Sequence, residues 1–334
     1  MAGAGPDIRG IIANCLTPFD RDGQINFDAL QHEIDYIIDV CRADAIAIGA
    51  SEDAEYTMLT TEQRRDLMAR GTAMVGGRKP VILGVSHPAT QRAVELAEHA
   101  ASVGADVVQL LIPIRLWGGD PEGDEIYDYV AEVARRSPLP VSVSQNRGPG
   151  ADPAIPLFLR IADVYNVPYL VETSGDVTKI SRLIEEIDHR GAARYFTNAE
   201  SLLINLTLGG SGAAMAPPAA RIGTEVVRAF REDDLPRATE WQRILSLFPN
   251  RWARYGAPPV MKAAMRHLGI DLGRPMRPYD SLPKWDDAQI GQFLEEVGLK
   301  EPGEEAPGPA AALGPIGLDH SRLQAEPLPR RSRK

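Results

Sequence analysis

The sequence predicts an α/β fold, a (β/α)8 TIM barrel with extra C-terminal helices, on three observations. Eight short apolar runs bounded by Gly, Pro or Asp recur along it, and stretches of helical period separate most of them. That alternation is expected of βα units around a parallel sheet. No G-x-G-x-x-G or Walker pattern follows any run, which disfavours the doubly wound nucleotide-binding sheet, the main rival fold.

The eight runs are residues 10–15, 44–50, 80–86, 106–113, 140–145, 169–173, 193–198 and 212–216. A barrel strand is buried on one face by the interior and on the other by the helix ring, so near-continuous segments such as Val81-Ile82-Leu83 and Val107-Val108-Gln109-Leu110-Leu111 suit it. The first helix opens at Asn26-Phe27-Asp28-Ala29-Leu30 and carries Ile34, Ile37 and Ile38 on one stripe. Thr60-Thr61-Glu62-Gln63 has the form of a capping start, and Thr90-Gln91-Arg92-Ala93 begins another helix. After the eighth run, 224–248, 260–268 and 288–297 read as further helices outside the barrel repeat. From about Glu301 the chain is rich in Pro, Gly, Ala and Glu without apolar period, so 301–334 is expected to be a disordered tail. The expected organisation is therefore one domain: barrel strands and helices over 1–221, the final barrel helix and a helical extension over 222–300, then the tail.

Composition narrows the function classes. The formal charge of −10 argues against a nucleic-acid binder, and the basic cluster Arg330-Arg331-Ser332-Arg333-Lys334 stands at the extreme end. The apolar runs are far shorter than the ~20 residues of a membrane span. Cys15 and Cys41 form no CxxC or Cys/His pattern, so neither a disulfide framework nor a zinc site is expected. A reducing cytoplasm fits, and residues 1–10 lack the pattern of a secretory signal.

Several segments, in order, resemble the dihydrodipicolinate synthase and N-acetylneuraminate lyase family. Leu16-Thr17-Pro18-Phe19 and Gly23-Gln24-Ile25-Asn26 are similar to its L-T-P-F and G-x-I/V-N/D opening. Gly49-Ala50-Ser51 with Glu55-Tyr56-Thr57-Met58-Leu59-Thr60 resembles G-T-T-G-E-x-x-x-L-S/T. Val81-Ile82-Leu83-Gly84 with Ala89-Thr90, Leu208-Gly209-Gly210-Ser211-Gly212 and Pro258-Pro259-Val260-Met261-Lys262 match later segments. The resemblance implies a class I lyase or aldolase in which a strand-six lysine forms an imine with pyruvate, a strand-five tyrosine shuttles protons, and the G-T-T-G turn holds the carboxylate. Such an amine needs a desolvated pocket, so that its neutral form is populated, and a hydroxyl within reach to move protons.

The departures from that pattern fall in the site. The family's K-E-A-T-G corresponds to Val171-Glu172-Thr173-Ser174-Gly175, which puts a valine in place of the lysine. Its strand-five Y-N-V-P aligns with Ser144-Gln145-Asn146-Arg147, and its strand-four P-Y-Y with Pro113-Ile114-Arg115. The turn threonines become Ala50 and Ser51, followed by Glu52 and Asp53 as an apparent insertion. Of the six lysines, Lys79, Lys179, Lys262, Lys284, Lys300 and Lys334, none falls at the C-terminal end of an expected strand.

The candidate substrate-binding residues are Ser51, Arg115, Ser144, Arg147 and Asn198. A guanidinium at 115 or 147 suits a carboxylate, and Arg147 lies near a family arginine that binds substrate carboxylate, one residue out of step. No catalytic residue is identified. Ser144, His87 and Glu172 are weak candidates: Ser144 lacks an evident base, His87 is a lone loop histidine, and strand alternation turns Glu172 away from Val171's face. Glu52, Asp53, His87, Glu172 and Asn198 lie near one rim but show no metal-ligand spacing, so no metal or cofactor is expected. The expected function is a divergent lyase acting on a small anionic oxo-acid-like metabolite without a Schiff base. The alternative is an inactive barrel serving as a ligand-binding or scaffolding protein. The resemblance further implies a homo-oligomer, tetramer or dimer, while charge and the short apolar runs lead one to expect no nucleic-acid or membrane partner.

Overall fold

The computed structural model describes residues 5–115, 119–145 and 152–300; the expected tail 301–334 and Arg147 lie outside these. Among the described residues, parallel strands β1 (Gly10–Asn14), β2 (Ala45–Ile48), β3 (Val81–Gly84), β4 (Val107–Leu111), β5 (Val141–Ser144), β6 (Tyr169–Val171), β7 (Arg194–Thr197) and β8 (Gly212–Met215) close into a barrel in chain order. Closure sets Ile12 of β1 opposite Ala214 of β8. Every strand lies within one of the apolar runs read from the sequence.

The helices are α1 (Phe27–Asp35), α2 (Thr61–Val75), α3 (Thr90–Ser102), α4 (Gly123–Arg136), α5 (Ile155–Ala162), α6 (Val177–Leu183), α7 (Leu202–Thr207), α8 (Ala219–Arg231), α9 (Leu235–Leu247), α10 (Ala257–His267) and α11 (Lys284–Glu296). Asn26 caps α1 by accepting from the Ala29 N–H. Thr60 and Gln63 form the reciprocal capping box at α2. The single helix read over 224–248 is corrected to two. Asp233 takes a positive φ of 58°, and Asp234 caps α9 by accepting from the Arg237 N–H. α8 is thus the barrel's own eighth helix, packed on β1 and β8. α10 starts three residues before the expected position 260, because prolines fit the first helical turn, where N–H groups have no partner. No described helix is long and apolar enough to cross a membrane.

Strand alternation splits the core in two. Between strands and helices lies the larger cluster, with Ile11, Ile46, Leu83, Val108, Leu110, Val143, Leu170 and Tyr195. Inside the barrel lie Ile12, Ala45, Ala47, Ile82, Val107, Tyr169, Val171 and Phe196. The same inward parity carries Asn14 of β1, Gln109 of β4 and Ser142 and Ser144 of β5, all buried, so polar side chains from three strands enter an otherwise apolar interior.

Candidate functional site

The C-terminal ends of barrel strands converge on one mouth, where loops present side chains to a common space. β1 ends at Asn14, whose side chain enters the interior and donates to the Asp53 carboxylate. After β2 the chain turns at Gly49, with φ 58°. This turn presses against β3 so closely that a Cβ on Gly84 would stand 1.9 Å from the Gly49 carbonyl oxygen. Gly84 therefore leaves room for this turn, and Gln109 of β4, its register partner, donates through Nε2 to the Ala50 carbonyl at 3.0 Å. The Ser51 hydroxyl donates to Asp53.

This corner is acidic. Burial raises the Asp53 carboxyl above its ordinary range, against the hydrogen bonds from Ser51 and Asn14 that hold it down. Glu52 stands at the solvent edge but is hemmed in by protein; lost hydration, with a further push from Asp53, lifts it to about 7. Glu33 of α1 is fully buried, accepts from the Leu16 N–H at 2.8 Å, and is raised by burial to about 8.

Across the mouth, Val171 ends β6 with 3% exposure, inside the barrel with Phe196. Ser144 lies beside it in register. Glu172 emerges outside the strand ring, where it accepts from the Tyr195 hydroxyl at 2.8 Å and the Ser174 N–H at 2.7 Å, with the Lys179 Nζ 3.7 Å away. Lys179 is also paired with Asp152. Asn198 caps the turn after β7, accepting from Ser201 N–H and donating to the Thr173 carbonyl. Arg115 is paired with Glu125 of α4. His87 accepts the Ala89 N–H at 3.0 Å, and burial followed by the Arg64 charge holds its pKa down. The structure thus brings Ser51 and Ser144 to the mouth, while Glu172 bonds to Tyr195 of β7 and the Ser174 N–H, and Asn198, Arg115 and His87 bond to neighbouring loops and helices.

Sequence reasoning passed over Asn14 and Gln109, although a polar residue of inward parity in an apolar strand is a legible signal. It set Lys262 aside as lying away from the strand ends; on α10 its Nζ lies 2.5 Å from Glu55 and 3.2 Å from the Arg274 carbonyl, over the Phe19 ring. Burial lowers the Lys262 pKa while Glu55 opposes the shift. Phe19, Arg274 and Met276, which surround this pair, line a separate cleft of about 970 Å³ between the loop after β1 and residues 271–281. The remaining described lysines lie elsewhere: Lys79 precedes β3, Lys284 opens α11, and Lys300 pairs with Glu295. No group of three or more His, Cys, Asp or Glu among the described residues could hold a metal ion.

The model of the Dihydrodipicolinate synthetase family matches residues 7–297. The 4-hydroxy-tetrahydrodipicolinate synthase of Corynebacterium aurimucosum is 28% identical over 303 residues, covering 89% of this chain and 98% of that protein. The enzyme of the same name from Oceanobacillus iheyensis is 26% identical over 292 residues, covering 86% and 95%. The crystal structure of dihydrodipicolinate synthase from Aquifex aeolicus superposes with a TM-score of 0.79 at 23% identity, covering 88% of this chain and 99% of that one, a likeness of fold.

Proposed function

Since the chain belongs to the dihydrodipicolinate synthetase family, we propose that its lyase- or aldolase-type function acts on a small anionic oxo-acid-like metabolite without an imine to lysine. The observation that carries this reading is Val171: the inward position ending β6 holds an aliphatic side chain beside Ser144. An imine needs a neutral amine next to the substrate carbonyl. Lys179 and Lys262 stand on helices α6 and α10, not on barrel strands, and each is paired with a carboxylate.

In this reading the hydroxyl of Ser144 orients the substrate and polarises its carbonyl, and Arg147, which follows β5 in sequence, takes its carboxylate. Ser51, Arg115 and Asn198 join them only on leaving their present partners. Glu52, lifted to about 7, suits proton transfer near neutrality. The competing reading, an inactive barrel that binds a ligand or scaffolds a partner, draws on the tight apolar packing at Val171. The homo-oligomer implied by the family belongs to the same proposal, and sedimentation analysis tests it.

The decisive experiment is borohydride reduction in the presence of pyruvate, read by intact mass. No adduct is expected, and a stable adduct on any lysine overturns the proposal. A thermal-shift panel of oxo-acids with product analysis separates the two readings: turnover of a bound compound supports the enzyme, and binding without turnover supports the inactive barrel.

A further inference from the structure

We infer that the β1–β2 corner of the barrel mouth is a subsite for the ammonium group of an organic amine, with Asp53 and the side-chain oxygen of Asn14 as its acceptors. This rests on the mouth being the ligand site, but not on the absence of an imine.

A carboxylate only accepts, so the Asn14 amide must turn its Nδ2 toward Asp53. That leaves the Asn14 Oδ1 buried with no partner, on a residue only 7% exposed. The same logic fixes Gln109: its Nε2 donates to the Ala50 carbonyl, and its Oε1 is left buried without a partner on a residue 2% exposed. Both side chains project inward from their strands, and the Ala50 carbonyl that Gln109 grips immediately precedes Ser51, the donor to Asp53. The interior thus holds unmet acceptors beside a carboxylate, and unpaired buried acceptors call for a donor.

The charges point the same way. Glu33, Glu52, Asp53 and Glu55 gather at this corner, and the one cation among their described neighbours, Lys262, is bonded to Glu55. Burial raises the carboxyls of Glu33, Glu52 and Asp53, and the charge of Asp53 adds a smaller push to Glu33 and Glu52. A carboxylate ligand here would meet acceptors and like charge. A hydroxyl would satisfy an acceptor and leave the charge unanswered. An ammonium has three donors and a positive charge, and the wall across the barrel, Val171 of β6 and Phe196 of β7, receives the carbon chain that bears it.

Three probes of matched chain length test this on the full-length protein: butylamine, butan-1-ol and butyrate, each titrated calorimetrically. Butylamine is expected to bind at least about tenfold tighter than either analogue, a difference of about 1.4 kcal/mol, and Asp53→Asn is expected to abolish that preference. Asn14→Leu, which keeps the carboxylate but removes the orphan oxygen, is expected to weaken butylamine severalfold, so the inference stays testable if one variant fails to fold. Equal binding of butan-1-ol or butyrate, displacement of butylamine by equimolar potassium, an undiminished preference in Asp53→Asn, or no binding of butylamine overturns it. Butylamine carries no carbonyl, so a pyruvate–lysine adduct would overturn the proposed function and leave this result untouched.

Discussion

Lys262 and Glu55, 207 residues apart in the chain, form a buried ion pair 2.5 Å long that ties α10 to the loop after β2. The side chains are 1% and 5% exposed. Glu55 spends its other oxygen on the Met276 N–H at 2.6 Å, so the same carboxylate anchors the segment that follows α10. One residue thereby couples the helical extension to the turn that frames the mouth.

Removing the cation alone strands that carboxylate in the interior. Lys262→Met is expected to destabilise the protein by about 3–5 kcal/mol in urea unfolding. The double substitution Lys262→Met with Glu55→Gln should recover a substantial part of this, because it leaves no uncompensated charge. A single-variant loss within about 0.5 kcal/mol, the range of ordinary surface changes, would show the pair to be dispensable.

Glu33 makes stability depend on pH. Its carboxyl is raised from 4.5 to about 8 in the folded protein, so between those values the folded state holds a proton that the unfolded chain has released. Stability therefore falls as pH rises through this window, and the contribution levels off above about 8. Glu33→Gln, which keeps an acceptor for the Leu16 N–H, is expected to flatten that decline and to raise the melting temperature at pH 8. An unchanged slope in the variant would rule Glu33 out as its source.

Gly84 tests the close approach of β2 and β3. A methyl group there meets the Gly49 carbonyl oxygen at 1.9 Å and the Ala50 Cα at 2.5 Å, and backbone cannot rotate away as a side chain can. Gly84→Ala is expected to cost about 1–3 kcal/mol and to displace the Ala50 carbonyl from Gln109. Thermal denaturation gives the first quantity, and hydrogen exchange at the β2 turn reports the second.

Position 171 offers a gain-of-function test. A lysine placed there would project into the interior among Phe196 and Tyr169, where desolvation lowers an amine's pKa and populates its neutral form. Val171→Lys is expected to lower the melting temperature and to acquire a pyruvate-dependent mass increase after borohydride reduction. A folded variant that gains no adduct would mean that the mouth does not admit a carbonyl to this position.

Much of this was legible one residue at a time. Largely apolar runs located all eight strands, because a strand buried on both faces carries few polar residues. Alternation separated Val171 from Glu172, and the structure puts the first inside the ring and the second against Tyr195. The break between α8 and α9 was not legible: Glu232-Asp233-Asp234 is compatible with a continuing helix until Asp233 adopts a left-handed conformation and Asp234 turns its carboxylate to cap the next one.

Local pattern, then, located the strands and set an aliphatic side chain at the end of the sixth, since each can be read from residues within a few positions. Only the closed barrel decided that Asn14, Asp53 and Gln109 share one corner and that Lys262 meets Glu55. Those meetings depend on strand register and on where a distant helix lands, and interactions between residues that far apart leave no periodicity for a single sequence to display.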